Sequence, residues 1–318
     1  MQSTEPPRFS PILVLFFGVL GISSGSILVR LAQGQDMPSL VIAAWRLTLA
    51  SAVLLPLAIS RRREELSHMS RSAWGLALLS GFMLALHFAT WITSLAYTSV
   101  ASSTVLVTTT PLWVGLAAPF LLKERLSSAL KIGIVLAMFG SVLIGVADVV
   151  AVVEGRLLFS LTAFTNQTNP LQGNVLALGG AFAASAYLII GRHLRHGMSL
   201  LTYTAVVYSS AACFLLAMAL AAGHDLVGYS ASAYLIMMMM ALFPQLIGHS
   251  SYNWALGHLP AATVSVAVIG EPIGATILAL LIFHEIPGII TLTGSILLLA
   301  GIVYSSRPAR RSTVPELE

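Results

Sequence analysis

Charge is what this chain lacks. Only 9% of its 318 residues are Asp, Glu, Lys or Arg, against 57% that are hydrophobic. A soluble domain carries about a quarter charged residues to cover its surface, so an ordinary soluble protein is excluded. Cysteine is nearly absent too. The single Cys213 lies inside an apolar run, which excludes an intrachain disulfide and leaves the redox compartment unread. There is no H-E-x-x-H, no Cys pair, no G-x-S-x-G element and no nucleotide-binding loop. Enzymatic activity, a metal and a cofactor are therefore not expected. The sequence pI near 9.5 invites a nucleic-acid reading. The basic residues, however, are spread over short stretches between apolar runs rather than gathered in one patch, and no nucleic-acid partner is expected.

What the chain does have is long apolar runs, at 11–29, 40–59, 73–95, 100–121, 131–147, 173–191, 200–222, 232–256, 262–283 and 288–305. Each is close to the ~20 residues that cross a hydrocarbon core, and in lipid such a run must be helical to satisfy its own backbone. The expected fold is an all-α integral membrane protein of ten transmembrane helices. Arg8 followed by an apolar stretch resembles a signal peptide, but no A-x-A-like site follows and the run has a counterpart in the second half. It reads as a retained span. With the N-terminus inside, the cytoplasmic side receives Arg8, Arg61, Arg62, Arg63, Arg71, Lys123, Arg125, Lys131, Arg192, Arg195, Arg307, Arg310 and Arg311, against Arg30 and Arg156 outside. That bias follows the positive-inside rule and predicts a multi-pass protein of the inner or plasma membrane with both termini cytoplasmic. The connection 148–172 then faces outward. Its Asn166-Gln167-Thr168 triplet matches a glycosylation sequon, useful only in a eukaryotic secretory context.

A shift of 161 residues aligns the chain with itself without a gap. Trp91-Ile92-Thr93-Ser94-Leu95-Ala96 falls on Tyr252-Asn253-Trp254-Ala255-Leu256-Gly257, Pro111 on Pro272, Glu124 on Glu285, Gly133 on Gly294 and Gly140 on Gly301. Five spans separate the copies, an odd number, so the two must be inverted in the membrane. The expected organisation is a five-helix repeat at 1–147, the outward loop at 148–172, a second repeat at 173–306 and a basic cytoplasmic tail at 307–318. Inverted repeats mark many secondary transporters, because one fold placed twice upside down gives inward- and outward-open states of similar energy. Glycines seven apart, at 133 and 140 and at 294 and 301, allow close helix packing within the chain or between chains, so a homodimer is one reading.

Several residues could carry chemistry. Glu271 lies mid-run before Pro272, and an ionisable group at membrane depth needs a cavity or a partner. It could bind a proton or a cationic group, or act as a structural carboxylate beside a broken helix or Arg46. Pro111 and Pro272 lack a backbone donor and are candidate hinges. Thr110, like Thr108 and Thr109, could line a pocket or bond back to its helix. Arg46 is the one Arg or Lys within a run; it could contact substrate, orient the fold, or snorkel to the interface. His87, Thr90, Trp91 and Ser94 share one helical face, as do Gln245, His249, Tyr252 and Asn253. Such stripes should face each other or water rather than lipid.

These motifs resemble the drug/metabolite transporter superfamily, EamA type, over essentially the whole chain. The resemblance rests on Trp45-Arg46, Ser94-Leu95-Ala96-Tyr97-Thr98, Thr110-Pro111-Leu112 and Lys123-Glu124-Arg125. It continues in Gly270-Glu271-Pro272-Ile273 and His284-Glu285. It implies a ten-helix carrier whose first four spans in each half surround a central pocket, with Arg46, Trp91, Thr110, Tyr252 and Glu271 as pocket residues. His87, His249 and Asn253 join them from the stripes, while Glu124 and Glu285 mark span ends. The expected activity is secondary transport of a small polar metabolite, such as an amino acid, outward and proton-linked, by rocking of four-helix bundles. The alternative is a membrane ligand-binding or sensory protein that moves nothing.

Overall fold

Serines open many of the helices. Ser70, Ser99, Ser199 and Ser230 each accept a hydrogen bond from the backbone N–H three residues on, satisfying one of the four donors that a helix start leaves open. The computed structural model describes residues 9–121, 128–147, 150–153, 156–159, 169–259, 261–268 and 270–305, and its helices follow the ten apolar runs. Segment 1 is α1 (Pro11–Ser23) and α2 (Gly25–Gln33). Segment 2 is α3 (Ser39–Arg61), followed by the short α4 (Arg63–Ser67), and segment 3 is α5 (Arg71–Ser94). Segment 4 is α6 (Val100–Val107) and α7 (Thr110–Leu121), and segment 5 is α8 (Ser128–Ala147). Segment 6 is α9 (Pro170–Arg195) and segment 7 is α10 (Leu200–Ala221). Segment 8 joins α11 (Ala231–Met240), a π-helical stretch (Ala241–His249) and α12 (Ser250–Ala255). Segment 9 is α13 (Ala261–Ala267) and α14 (Gly270–Phe283), and segment 10 is α15 (Ile289–Ser305).

Among the described residues, segments 1–4 and 6–9, eight in all, are long and apolar enough to cross a membrane. Large apolar side chains such as Leu13, Phe17, Phe120, Val175, Phe182 and Leu281 stand exposed on the outside. Soluble proteins rarely tolerate such a surface, and hydrocarbon is the solvent it fits. Helix starts recur at one offset: Ser39 and Leu200, Val100 and Ala261, and Ser128 and Ile289 are each 161 residues apart.

The helical rule has one departure. In the connection 148–172, Val150–Val153 pairs antiparallel with Arg156–Phe159, with Val150 opposite Phe159 and Val153 opposite Arg156. Its β-branched valines suit a strand. An all-α expectation misses this hairpin, because hydropathy alone does not separate a short apolar strand from a helix. Glu124, the Asn166-Gln167-Thr168 triplet and the tail 307–318 lie outside the described residues.

Packing interleaves the two sequence halves. Besides α8 with α15, the most extensive interfaces are α5 with α9 and α3 with α10. α1 packs on the π-helical stretch, α12 and α14, whereas α9 packs on α5, α6 and α7. Segments 1, 8 and 9, with segment 2, thus form one body, and segments 3, 4 and 6, with segment 7, form the other. α3 and α10 are the main contact between them. Segment 1 packs more extensively on segments of the second half than on those of its own. Each body is therefore a mixture of both halves.

α8 and α15 meet through glycine. A Cβ on Gly140 would lie 2.6 Å from the Gly294 carbonyl oxygen, and one on Gly294 would lie 2.8 Å from that of Gly140. This part of the glycine stripe is used within the chain. On the opposite side of segment 2, Glu65 of α4 reaches the start of α10, where its Oε1 accepts from the Ser199 N–H at 2.6 Å. Partial burial alone would raise the Glu65 carboxyl. Hydrogen bonds from the Ser199 side chain and backbone and from Thr202 outweigh it and hold the group below its ordinary 4.5.

Two outcomes follow. Gly140→Leu forces side chain into backbone with nowhere to move, so it should destabilise by at least ~1–3 kcal/mol and visibly lower the thermal midpoint in detergent. Gly75→Leu, where an added Cβ meets nothing within 4 Å, should leave the midpoint nearly unchanged. Glu65, with its depressed folded value, contributes stability above its ordinary carboxyl value that is lost as pH falls through the folded value. Glu65→Gln should therefore flatten the acid limb of the stability profile, read by thermal unfolding at a series of pH values.

Candidate functional site

Two helices break at the same place in their respective halves. Segment 4 interrupts its helix at Thr108 and Thr109, and segment 9 between Ala267 and Gly270. In each case proline follows within the first turn of the new helix, Pro111 in α7 and Pro272 in α14, where its missing N–H leaves no hydrogen bond unmade. The three threonine hydroxyls bond back to carbonyls three residues earlier: Thr108 to Val105 at 2.9 Å, Thr109 to Leu106 at 2.8 Å and Thr110 to Val107 at 3.0 Å. Glu271 falls in the first turn of α14, where the helix dipole favours a carboxylate.

The breaks flank a narrow cavity of about 40 Å³, room for about three waters at 10–15 Å³ each. One wall comes from the first body: Ile22, Arg46, His249, Tyr252, Val268 and Glu271. The other comes from the second: His87, Trp91, Val107, Thr110, Tyr187 and their neighbours Ala184 and Leu188. The cavity thus lies on the interface between the bodies, and seven of the eight site residues expected from sequence line it. Trp91 and Tyr252, equivalent in the two halves, sit on opposite walls.

Asn253 is the exception. It stands behind the wall, where its Oδ1 accepts from the Tyr187 hydroxyl at 2.5 Å and its Nδ2 donates to the Tyr208 hydroxyl at 3.0 Å. It fixes the orientation of Tyr187, which does face the cavity. Tyr187 gave no signal in the sequence, because its apolar surroundings on segment 6 carry no polar stripe and Ser26 holds its repeat position.

Arg46 does not snorkel. It is 1% exposed, donates from Nε to Gln245 Oε1 at 2.7 Å and lies with Cζ 4.1 Å above the Phe88 ring. Its bonded partner is Gln245 rather than Glu271. The π-helical stretch makes this contact possible. Pro244 lies within it, and the wider i→i+5 turn accommodates a residue that a regular helix interior rejects. Gln245 is thereby turned towards Arg46 and His249 towards the cavity. His87 stacks on Trp91 with ring centroids 5.9 Å apart, and its Nδ1 meets the Gly180 carbonyl at 3.0 Å. His249 lies 6.2 Å from His87 and 6.1 Å from Tyr252.

Three donors on the cavity wall are buried without a partner among the described residues: Arg46 Nη1, Trp91 Nε1 and the Tyr252 hydroxyl. Leaving a buried donor unmet costs about 1–3 kcal/mol, more for a charged one. Together with the Glu271 carboxyl, they line the same cavity.

A sequence model described as the EamA-like transporter family matches residues 9–146 and again 171–307. An uncharacterized transporter of Archaeoglobus fulgidus is 24% identical over 274 residues, covering 86% of this chain and 89% of the relative. A protein of known crystal structure superimposes with a TM-score of 0.63 at 18% identity, covering 96% of this chain and 99% of its own; likeness at that identity concerns the fold alone. With the family matches spanning most of its length, this multi-pass helical membrane protein belongs to the EamA-like transporter family.

Proposed function

We propose that the chain is a secondary carrier of ten spans, built as two inverted repeats with both termini cytoplasmic, that exports a small polar metabolite such as an amino acid in exchange for protons. The observation that carries this reading is the cavity: an ionisable, donor-rich chamber at the depth of the apolar segments, bounded by two bodies that each supply one wall. In hydrocarbon, unmet polar groups are strongly disfavoured, and a chamber that keeps them is suited to a ligand that meets them. At about 40 Å³ it has room for only about three waters, so a metabolite enters only when the bodies separate. Separation on one face at a time is alternating access. The matching helix breaks at Pro111 and Pro272 support two repeat-related hinges beside the chamber. Glu271 is the coupling group: a carboxyl that exchanges a proton for a cationic group of the substrate ties the two movements together.

Reconstitution into proteoliposomes tests this. Counterflow of a labelled panel of zwitterionic, cationic and anionic metabolites should reveal exchange of at least one compound. No exchange across the panel, with binding retained, would favour a ligand-binding protein that transports nothing. For an exchanged compound, Glu271→Gln should lower uptake driven by a proton gradient by at least about tenfold, with the thermal midpoint preserved. Wild-type rates in that variant would make the residue purely structural.

A further inference from the structure

Four side chains at the far ends of the bundle have no part in the chamber, yet they bridge the same two bodies. At one end, Gln33 Nε2 donates to the Ile92 carbonyl at 2.9 Å and Arg30 Nη2 to the Thr98 carbonyl at 2.7 Å. At the other end, Arg195 Nε donates to the Asn253 carbonyl at 2.9 Å and Arg192 Nη1 to the Leu256 carbonyl at 2.6 Å. We infer that these are the two gates of the carrier: Arg30 with Gln33, and Arg192 with Arg195, are repeat-related clamps that hold the bodies together at opposite faces of the membrane. The inference rests on the carrier reading above.

The correspondence between the clamps is close. In each, the donors lie three residues apart at the C-terminal end of the first segment of a half. In each, one acceptor is a carbonyl in the last turn of that half's third segment, Ile92 and Asn253, which stand 161 residues apart; the other, Thr98 or Leu256, lies just beyond that helix. The last carbonyls of a helix have no partner within it, and those of Ile92 and Asn253 take outside donors. These donors come from the other body. Gln33 and Arg30 belong to segment 1 and hold segment 3; Arg192 and Arg195 belong to segment 6 and hold segment 8.

Most contacts between helices of one body are apolar and extensive, but at its two ends the interface between bodies is held by these few polar bonds. Such bonds are easily exchanged. At a membrane edge, both the donors and the carbonyls find water once they part, so opening leaves no group unmet. A rock of the bodies about α3 and α10 stretches one clamp while the other stays made. Both clamps are made here, around a chamber with room for water alone. At each end a carboxylate adds a further bridge between the bodies: Glu285 Oε1 accepts from the Val100 N–H at 2.8 Å at the first, and Glu65 Oε1 from the Ser199 N–H at 2.6 Å at the second.

Accessibility from the two faces tests the inference without a substrate. In a Cys213→Ser background, Ala184→Cys places a thiol on the chamber wall for a membrane-impermeant maleimide, applied to intact cells and to inverted vesicles. Relative to this parent, Arg30→Ala with Gln33→Ala should raise labelling several-fold from one face. Arg192→Ala with Arg195→Ala should raise it from the opposite face. If a double variant does not fold, Gln33→Ala and Arg192→Ala alone should give smaller shifts of the same opposed sign. Labelling unchanged, or shifted toward the same face by both pairs, would overturn the inference and leave the four residues as helix caps. Opposed shifts without any counterflow would keep the clamps and sink the transport reading; counterflow without opposed shifts would do the reverse.

Discussion

Hydrocarbon offers no hydrogen bonds, and the rest of this structure depends on that constraint. It makes the apolar segments helical and pushes their polar side chains inward. It also gives each inward polar group a strong need for a partner. Arg46 answers that need with Gln245 and the face of Phe88, Asn253 with two tyrosine hydroxyls, and His87 with a backbone carbonyl. Three of the buried polar atoms without a partner among the described residues, Arg46 Nη1, Trp91 Nε1 and the Tyr252 hydroxyl, face one chamber.

The same constraint explains why the halves are interleaved. A four-segment unit of either half would have to close its polar stripe on itself. Segment 3 instead lays its stripe toward segment 8, and Trp91 and Tyr252 end up on facing walls. The interface between the resulting bodies is then polar in the middle and at both ends and more apolar along its flanks, a pattern suited to movement about the flanks.

Much of this was legible in residues. The apolar runs begin within three residues of the helices they became, because serine caps and the onset of hydrophobicity coincide, as at Ser70 and Ser199. The stripes on segments 3 and 8 supplied His87, Trp91, His249 and Tyr252 to the chamber, since polar groups at helical spacing on an apolar helix have few other places to go. What escaped notice depends on partners distant in sequence. Whether Arg46 reaches water or stays inside is decided by Gln245, whose position a π-helical stretch adjusts. Tyr187 carries no local signature of its role, because its importance comes from Asn253 on another segment. The stretch 150–159 is as apolar as a short helix, and only the pairing of its two strands distinguishes it.

Interleaving also bears on how the protein is made. Arg46 finds its hydrogen-bond partner 199 residues downstream, and ribosomes add about 5–20 residues per second. For roughly 10–40 seconds a guanidinium already threaded into the bilayer has no Gln245 to meet. During that interval the nascent first half must be sheltered by the insertion machinery, by water at the interface or by provisional neighbours, and its final arrangement awaits the arrival of the second.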